Sequence, residues 1–324
     1  MDLKQLRFFV TTVDAGSISY ASRLLHITQP ALSRQITNLE YDLKVELLCR
    51  THNGVVPTEH GTKLYAMAQK LLRDFNHITE TLAEVDNDPV GRVVLGCMDS
   101  VANILASRLI TALGSKYPKL SLTFYADQTT NLYNKLVANA MDMGIVCNNP
   151  EIEGLQTSFI LREELMVAVA GQLLRELPEP EISPEQLREL PFIFPPTQFF
   201  SAEGTTTLRR LAVKNIAEDV FAGLNIKLRI LSEINAVSIV KRMVAGGAYC
   251  TISPWSAVYE EVEKGNITLK TIKGSRMFRD IYFCWPKSRP MTKATSTVHQ
   301  VLMDTIKDLV DSRVWRHVSL DPDE

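Results

Sequence analysis

Residues 26–40 read HITQPALSRQITNLE. Thr28 stands where a helix cap belongs, and Pro30 falls in the first turn that follows, where a missing N–H costs little. Leu32, Ile36, Leu39 and Leu43 then step by four, three and four, so the spacing predicts one inward-facing stripe. The outer side is left with Gln29, Pro30, Ser33, Arg34, Thr37 and Asn38, none of them acidic. Just upstream, Ile18, Ala21, Leu24 and Leu25 form a second apolar face behind Ser17, the expected N-cap, and His26-Ile27 makes a short turn.

Two short helices joined by a tight turn describe a helix-turn-helix, whose second helix lies in the DNA major groove. Arg can read guanine O6/N7, and Gln or Asn can read adenine N6/N7. Ser33 and Thr37 are suited to phosphates, as are the free N–H groups at the helix start. An ordinary helical hairpin with a solvated face would give the same pattern, so the residues alone leave both readings open.

The rest of the chain bounds the choice. Its 324 residues, 45% hydrophobic, suffice for two or three cores. The formal net charge of -2 excludes a chain coated with positive charge, so DNA contact must come from a local surface. Cys49, Cys97, Cys147, Cys250 and Cys284 are scattered and odd in number, which argues against a disulfide framework or a structural zinc. No signal-peptide pattern opens the sequence, and no apolar run approaches the ~20 residues of a membrane span. The expectation is a cytoplasmic protein with no membrane partner.

Residues 1 to about 58 read as helical, with polar turns at residues 14–17 and 52–54. Thr58 then caps a long helix in which Leu64, Ala68, Leu71, Phe75, Ile78, Leu82 and Val85 alternate in steps of four and three. Such a narrow seam predicts a partner helix and hence a dimer. Beyond residue 89, strands expected at 93–97, 121–126, 143–146, 165–169, 192–194, 227–231, 249–253 and 281–285 interleave with amphipathic stretches. That alternation predicts βα units around mostly parallel sheets.

The pattern Ala21, Leu24, His26, Gln29-Pro30-Ala31-Leu32-Ser33, Ile36, Leu39-Glu40, Leu43, Leu47, Arg50, Thr58 and Gly61 resembles the LysR-type bacterial transcriptional regulators. The resemblance implies a multi-domain chain. An all-α winged helix-turn-helix DNA-binding domain would occupy 1–58, and a linker and dimerisation helix 59–88. A two-lobed α/β effector domain, similar to periplasmic binding proteins, would occupy 89–324, with lobe I at about 89–161 and 268–324 and lobe II at about 162–267. Lys44, Leu48 and Pro57 depart from the family pattern, and the wing positions usually basic carry His52 and Asn53. Acidic and basic residues balance in residues 1–60, so the salt dependence of DNA binding should be shallow, with affinity drawn from oligomer avidity.

By the same resemblance an effector cleft would include Asp99 and Ser100 at a helix start, the loop Thr197, Gln198 and Phe199, and the rim residues Asn235 and Thr251. Two adjacent phenylalanines, Phe199 and Phe200, would suit an aromatic or apolar effector, though their commoner fate is core. The chain would cross between lobes near Arg162 and again near Ile267, and a ligand would change the lobe angle. Expected partners are promoter or operator DNA, an unidentified small effector, further copies of the chain in a homodimer or homotetramer, and RNA polymerase. No cofactor is expected. A solute-binding protein is the alternative, opposed by residues 1–86. An enzyme is opposed by the absence of triad, phosphate-loop or metal-ligand spacing among the six histidines.

Overall fold

Asp2 opens the first helix, α1 (Leu3–Ala15), by accepting from Gln5 N while the Gln5 side chain accepts from Asp2 N. Gly16, at φ 60°, closes it. Ser17 caps α2 (Ile18–Leu24). In the computed structural model, residues 1–51, 54–82, 89–148, 153–196 and 213–321 are described, apart from the side chains of Arg50, Arg73 and residues 76–82. The chain divides into two compact units, one of Met1–Asn87 with Ala138–Ala140, the other holding the remainder.

In the first unit α3 (Gln29–Leu43) begins at Thr28 with Pro30 in its first turn. Thr28 occupies the cap position, but its side chain makes no cap hydrogen bond. Leu32, Ile36 and Leu39 pack with Phe8, Phe9, Ala21 and Leu47 in one core. Leu24 does not join them; it is 51% exposed. The region expected to be all-helical carries a two-stranded antiparallel hairpin, β1 (Leu48–Thr51) and β2 (Gly54–Pro57). Val55 points in and Val56 out, the period-two pattern of a half-buried strand. Thr58 then links the hairpin to α4 (Glu59–Leu82), accepting from Gly61 N at 2.9 Å and donating to Glu46 O at 2.7 Å.

The second unit opens as β3 (Gly91–Met98), α5 (Asp99–Lys116), β4 (Leu120–Asp127), α6 (Thr129–Val137) and β5 (Met143–Cys147), with β3 parallel to both β4 and β5. There follow β6 (Leu155–Val169), α7 (Gly171–Glu176), β7 (Glu181–Ile182), α8 (Pro184–Glu189), β8 (Phe192–Phe194), α9 (Val213–Gly223), β9 (Ile230–Glu233), α10 (Val237–Ala245), β10 (Thr251–Pro254) and α11 (Trp255–Glu263). The unit closes with β11 (Thr268–Ile272), β12 (Met277–Pro286), α12 (Lys293–Asp311) and β13 (Val318–Ser319).

The sheet is mixed, which corrects the expectation of mostly parallel sheets. β12 runs antiparallel to β5 and β6, and β6 is antiparallel to β10, β11 and β13. The cause is β6, fifteen residues long, which passes from one hydrophobic core to another. Ile160 and Leu161 belong to a core with Leu95, Leu105 and Phe283. Leu165, Val167 and Val169 belong to a second core with Phe192, Phe194 and Phe221. Ala168, on the opposite face of the strand, packs with Val240, Val244 and Ile267. These cores define two lobes.

β12 pairs with β6 from Leu155↔Pro286 to Leu165↔Met277, so both strands cross between lobes side by side. The return crossing lies in β12, not near Ile267. Thr268, Leu269 and Lys270 pair with residues 167–169 of β6, Thr271 and Ile272 pair with β7, and Ile272 and Met277 sit in the second lobe's core. A register shift between Ile281 and Tyr282 marks the crossing, and Arg162 faces Asp280 across it with Nε 2.7 Å from the carboxylate.

Candidate functional site

The outer surface of α3 is as the helical period requires. Gln29, Pro30, Arg34, Thr37 and Asn38 are exposed and Ser33 is half-buried, opposite the buried Leu32, Ile36 and Leu39. The domain's acids are mostly engaged elsewhere. Asp2 caps α1, Asp14 accepts from the Tyr65 hydroxyl, and Asp42 pairs with the N-terminal ammonium. Glu40 accepts from Leu47 N at 2.8 Å and Leu48 N at 3.2 Å, and Glu59 pairs with Lys63 on its own helix. Arg34 has no hydrogen-bond or ion-pair partner among the described residues. His52 and Asn53 lie outside the described residues.

The heptad seam on α4 divides. Ala68 is buried and Leu64 packs against the first unit's own core, so these two positions serve their own domain. Leu71 and Phe75 are 48% and 45% exposed. Ile78 and Leu82 lie on the helix, but their side chains, like Val85 altogether, lie outside the described residues.

A cavity of about 220 Å³ opens between the lobes of the second unit. One wall is made where β3, β4 and β5 end: Met98, Asp99, Ser100, Asp127, Gln128, Thr129 and Cys147. Because β4 and β5 flank β3, their carboxyl ends diverge there, the place where open α/β sheets bind ligands. The other wall comes from the second lobe, with Asn235, Val240, Lys241, Val244, Thr251 and Ile252. Asp99, Ser100, Asn235 and Thr251, expected from the sequence, are thus brought together, while Thr197, Gln198 and Phe199 lie outside the described residues. Sequence reasoning missed Asp127, Gln128 and Thr129, though a strand end followed by a helix start was a usable signal. It missed Arg279 as well, which only tertiary folding brings to Ser100.

Burial, and then the Asp127 charge, raise the pKa of Asp99. Asp127 itself is held below the ordinary carboxylate range, against its own burial, by Lys135, Asn131 and the Gln128 N–H. At the cavity floor Arg279 donates through Nε to Glu163 Oε2 at 2.8 Å and through Nη2 to Ser100 Oγ at 2.9 Å. The Trp315 indole N–H donates to the other Glu163 oxygen at 2.8 Å. Asp142 accepts from Val94 N at 2.7 Å and pairs with Arg289.

Burial pushes the Cys97 and Cys250 thiols well up and that of Cys284 to about 12, so these sulfurs are neutral, poor nucleophiles near pH 7. Among the described residues no group of three or more His, Cys, Asp or Glu is arranged to hold a metal, and no helix is long and apolar enough to cross a membrane.

Residues 3–62 match the model of the bacterial regulatory helix-turn-helix protein, lysR family, and residues 86–307 match that of the LysR substrate binding domain. The nitrogen assimilation regulatory protein nac of Escherichia coli K12 is 24% identical over 321 residues, covering 98% of this chain and 100% of that protein. The protein of the same name from Klebsiella aerogenes is 28% identical, covering 79% of each chain. Full-length CbnR complexed with its target DNA has a TM-score of 0.68 at 20% identity, covering 94% of this chain and 100% of that one. A full-length OxyR variant from Pseudomonas aeruginosa has a TM-score of 0.67 at 22% identity, covering 95% of this chain and 98% of that one. With an N-terminal helix-turn-helix unit, a two-lobed α/β unit and family matches that together span most of its length, the chain belongs to the LysR family of transcriptional regulators.

Proposed function

We propose that α3 reads operator DNA through Gln29, Ser33, Arg34, Thr37 and Asn38, with Pro30 fixing the helix start and His52 and Asn53 at the wing. The observation that carries this is the exposed face of α3 over residues 29–38, which holds no acid, while Glu40 and Asp42 farther along the helix are tied to the Leu47 and Leu48 N–H groups and to the N-terminal ammonium. Two copies are joined through the exposed part of the α4 seam, and the assembly is a homodimer or homotetramer that meets RNA polymerase at the promoter. The cleft bounded by Asp99, Ser100, Asn235 and Thr251 takes a small effector, together with Thr197, Gln198 and Phe199. The protein acts in the cytoplasm, without enzymatic activity or a resident cofactor. A solute-binding role alone is disfavoured by the helix-turn-helix unit.

A gel shift with the DNA upstream of the protein's own coding region, against shuffled DNA of equal length, tests the DNA-reading proposal. Gln29→Ala and Arg34→Ala should each weaken specific binding by about 1–3 kcal/mol while sparing the fold. Equal affinity of wild type for both fragments would refute it. The slope of log affinity against log salt should be shallow; a slope equal to many released counterions would remove the avidity argument.

A further inference from the structure

The charges around the cleft do not balance, and the imbalance selects a ligand class. Among the described residues, each cation on its wall already has a carboxylate. Arg279 is bound to Glu163, Lys241 lies 2.9 Å from Glu261, and Lys214 pairs with Glu233 and, at 3.8 Å, Glu218. Asp127, on the same wall, is answered by Lys135 at 2.6 Å. Asp99 alone faces the cavity without a hydrogen-bond or ion-pair partner among the described residues. The second lobe's contribution to the lining includes the apolar Val240, Val244 and Ile252. A ligand carboxylate would meet no unmatched cation among the described lining residues and would lie against Asp99. A protonated amine would supply the missing charge, and a charge-assisted bond of this kind is among the stronger ones a partly enclosed site can make. The cavity, about 220 Å³, exceeds the ~150 Å³ that takes up a six-carbon ring.

We propose that the effector cleft takes a small ammonium-bearing ligand, its charged nitrogen against Asp99 and its apolar body against Val240, Val244 and Ile252. This rests on the cleft being the effector site, as proposed above. It turns the helix start at Asp99 from a seat for an anion into a seat for a cation, since the side chain outweighs the partial charge of the free N–H groups.

The purified full chain is titrated with cyclohexylamine, cyclohexanecarboxylate and cyclohexanol, and with the matching butyl compounds, by calorimetry. The amines should bind about tenfold tighter than the alcohols, equal to one charge-assisted hydrogen bond. Asp99→Asn and Asp99→Ser should both erase that preference. Val240→Phe, which fills the cavity, should weaken amine and alcohol alike. Preference for the carboxylates, or an amine preference that survives both Asp99 variants, overturns the ammonium proposal and leaves the cleft reading standing. Binding that is indifferent to Val240→Phe, or no binding by any probe, overturns the cleft reading and this proposal with it.

Discussion

Replacing Arg279 by Met tests the interior of the effector unit most directly. Arg279 and Glu163 are 5% and 1% exposed, so the variant leaves a largely buried carboxylate without its partner. It also strips a donor from Ser100 and Ser256, to which Nη2 reaches at 2.9 and 3.4 Å. Breaking a buried pair from one side costs ~3–5 kcal/mol, because the remaining charge is uncompensated. For a unit of this size each kcal/mol moves the midpoint by about 2–4 °C, so the thermal transition of the second unit should fall by about 6–20 °C. The double variant Arg279→Met/Glu163→Gln removes both charges while keeping an acceptor for the Trp315 N–H. It should recover most of the loss, since a neutral replacement of a buried pair is often close to neutral in stability. Differential scanning calorimetry of the full chain separates this transition from that of the first unit. A drop below about 2 °C in the single variant, or a double variant no better than the single, would refute the account.

Three further outcomes follow from other residues. The pKa of Asp99 is raised in the fold, so its contribution to stability is complete below the ordinary Asp range and is lost as pH rises through the raised value. Asp99→Asn should therefore raise the melting temperature at pH 7, and the gain should vanish in acid; no gain at pH 7 would contradict the burial argument. Leu71→Asp with Phe75→Asp should shift sedimentation toward the monomer, because these are the exposed seam positions, whereas Leu64→Asp should unfold the first unit instead. Gly61→Ala should destabilise by ~1–3 kcal/mol in urea unfolding despite the better helix propensity of alanine, because its Cβ would lie 2.0 Å from the Leu47 carbonyl oxygen.

Short-range features are legible in the sequence and long-range ones are hidden. The α3 stripe, the caps at Ser17 and Thr58, and the strand at Phe192–Phe194 depend on neighbours within a few positions, and each is visible as spacing. β6 begins ten residues before its expected start, since Leu155–Glu164 includes Gln156, Arg162, Glu163 and Glu164 and does not read as an apolar run. Those charges are accommodated by partners far along the chain, Asp280 for Arg162 and Arg279 for Glu163. β11 escapes notice for a similar reason: Lys270 is buried within it, donating to the Glu179 carbonyl. The same blindness hides Arg279 as a cleft residue, although Asp99 and Ser100 next to a strand end are readable.

The strand crossing between the lobes and the cleft share these long-range groups. Each lobe has its own core, and Val262 and Leu269 pack against both the first lobe's core and the cluster of Val240 and Val244. Groups at the crossing also tie the lobes together. Arg162 meets Asp280, Arg279 meets Glu163, and β13 adds Val318 beside Glu163 and Ser319 beside Arg162. The Arg279 guanidinium reaches from this clamp to Ser100 at the floor of the cleft. A ligand that touches Ser100 on one wall and Thr251 on the other therefore contacts both lobes and the group that pins their junction. It can shift the lobe equilibrium only by the difference between its affinities for the two arrangements. The groups able to create that difference are those whose distances to the ligand depend on the lobe angle; under the effector proposal above, Asn235, Lys241 and Thr251 on the second lobe would set the response and Asp99 the recognition.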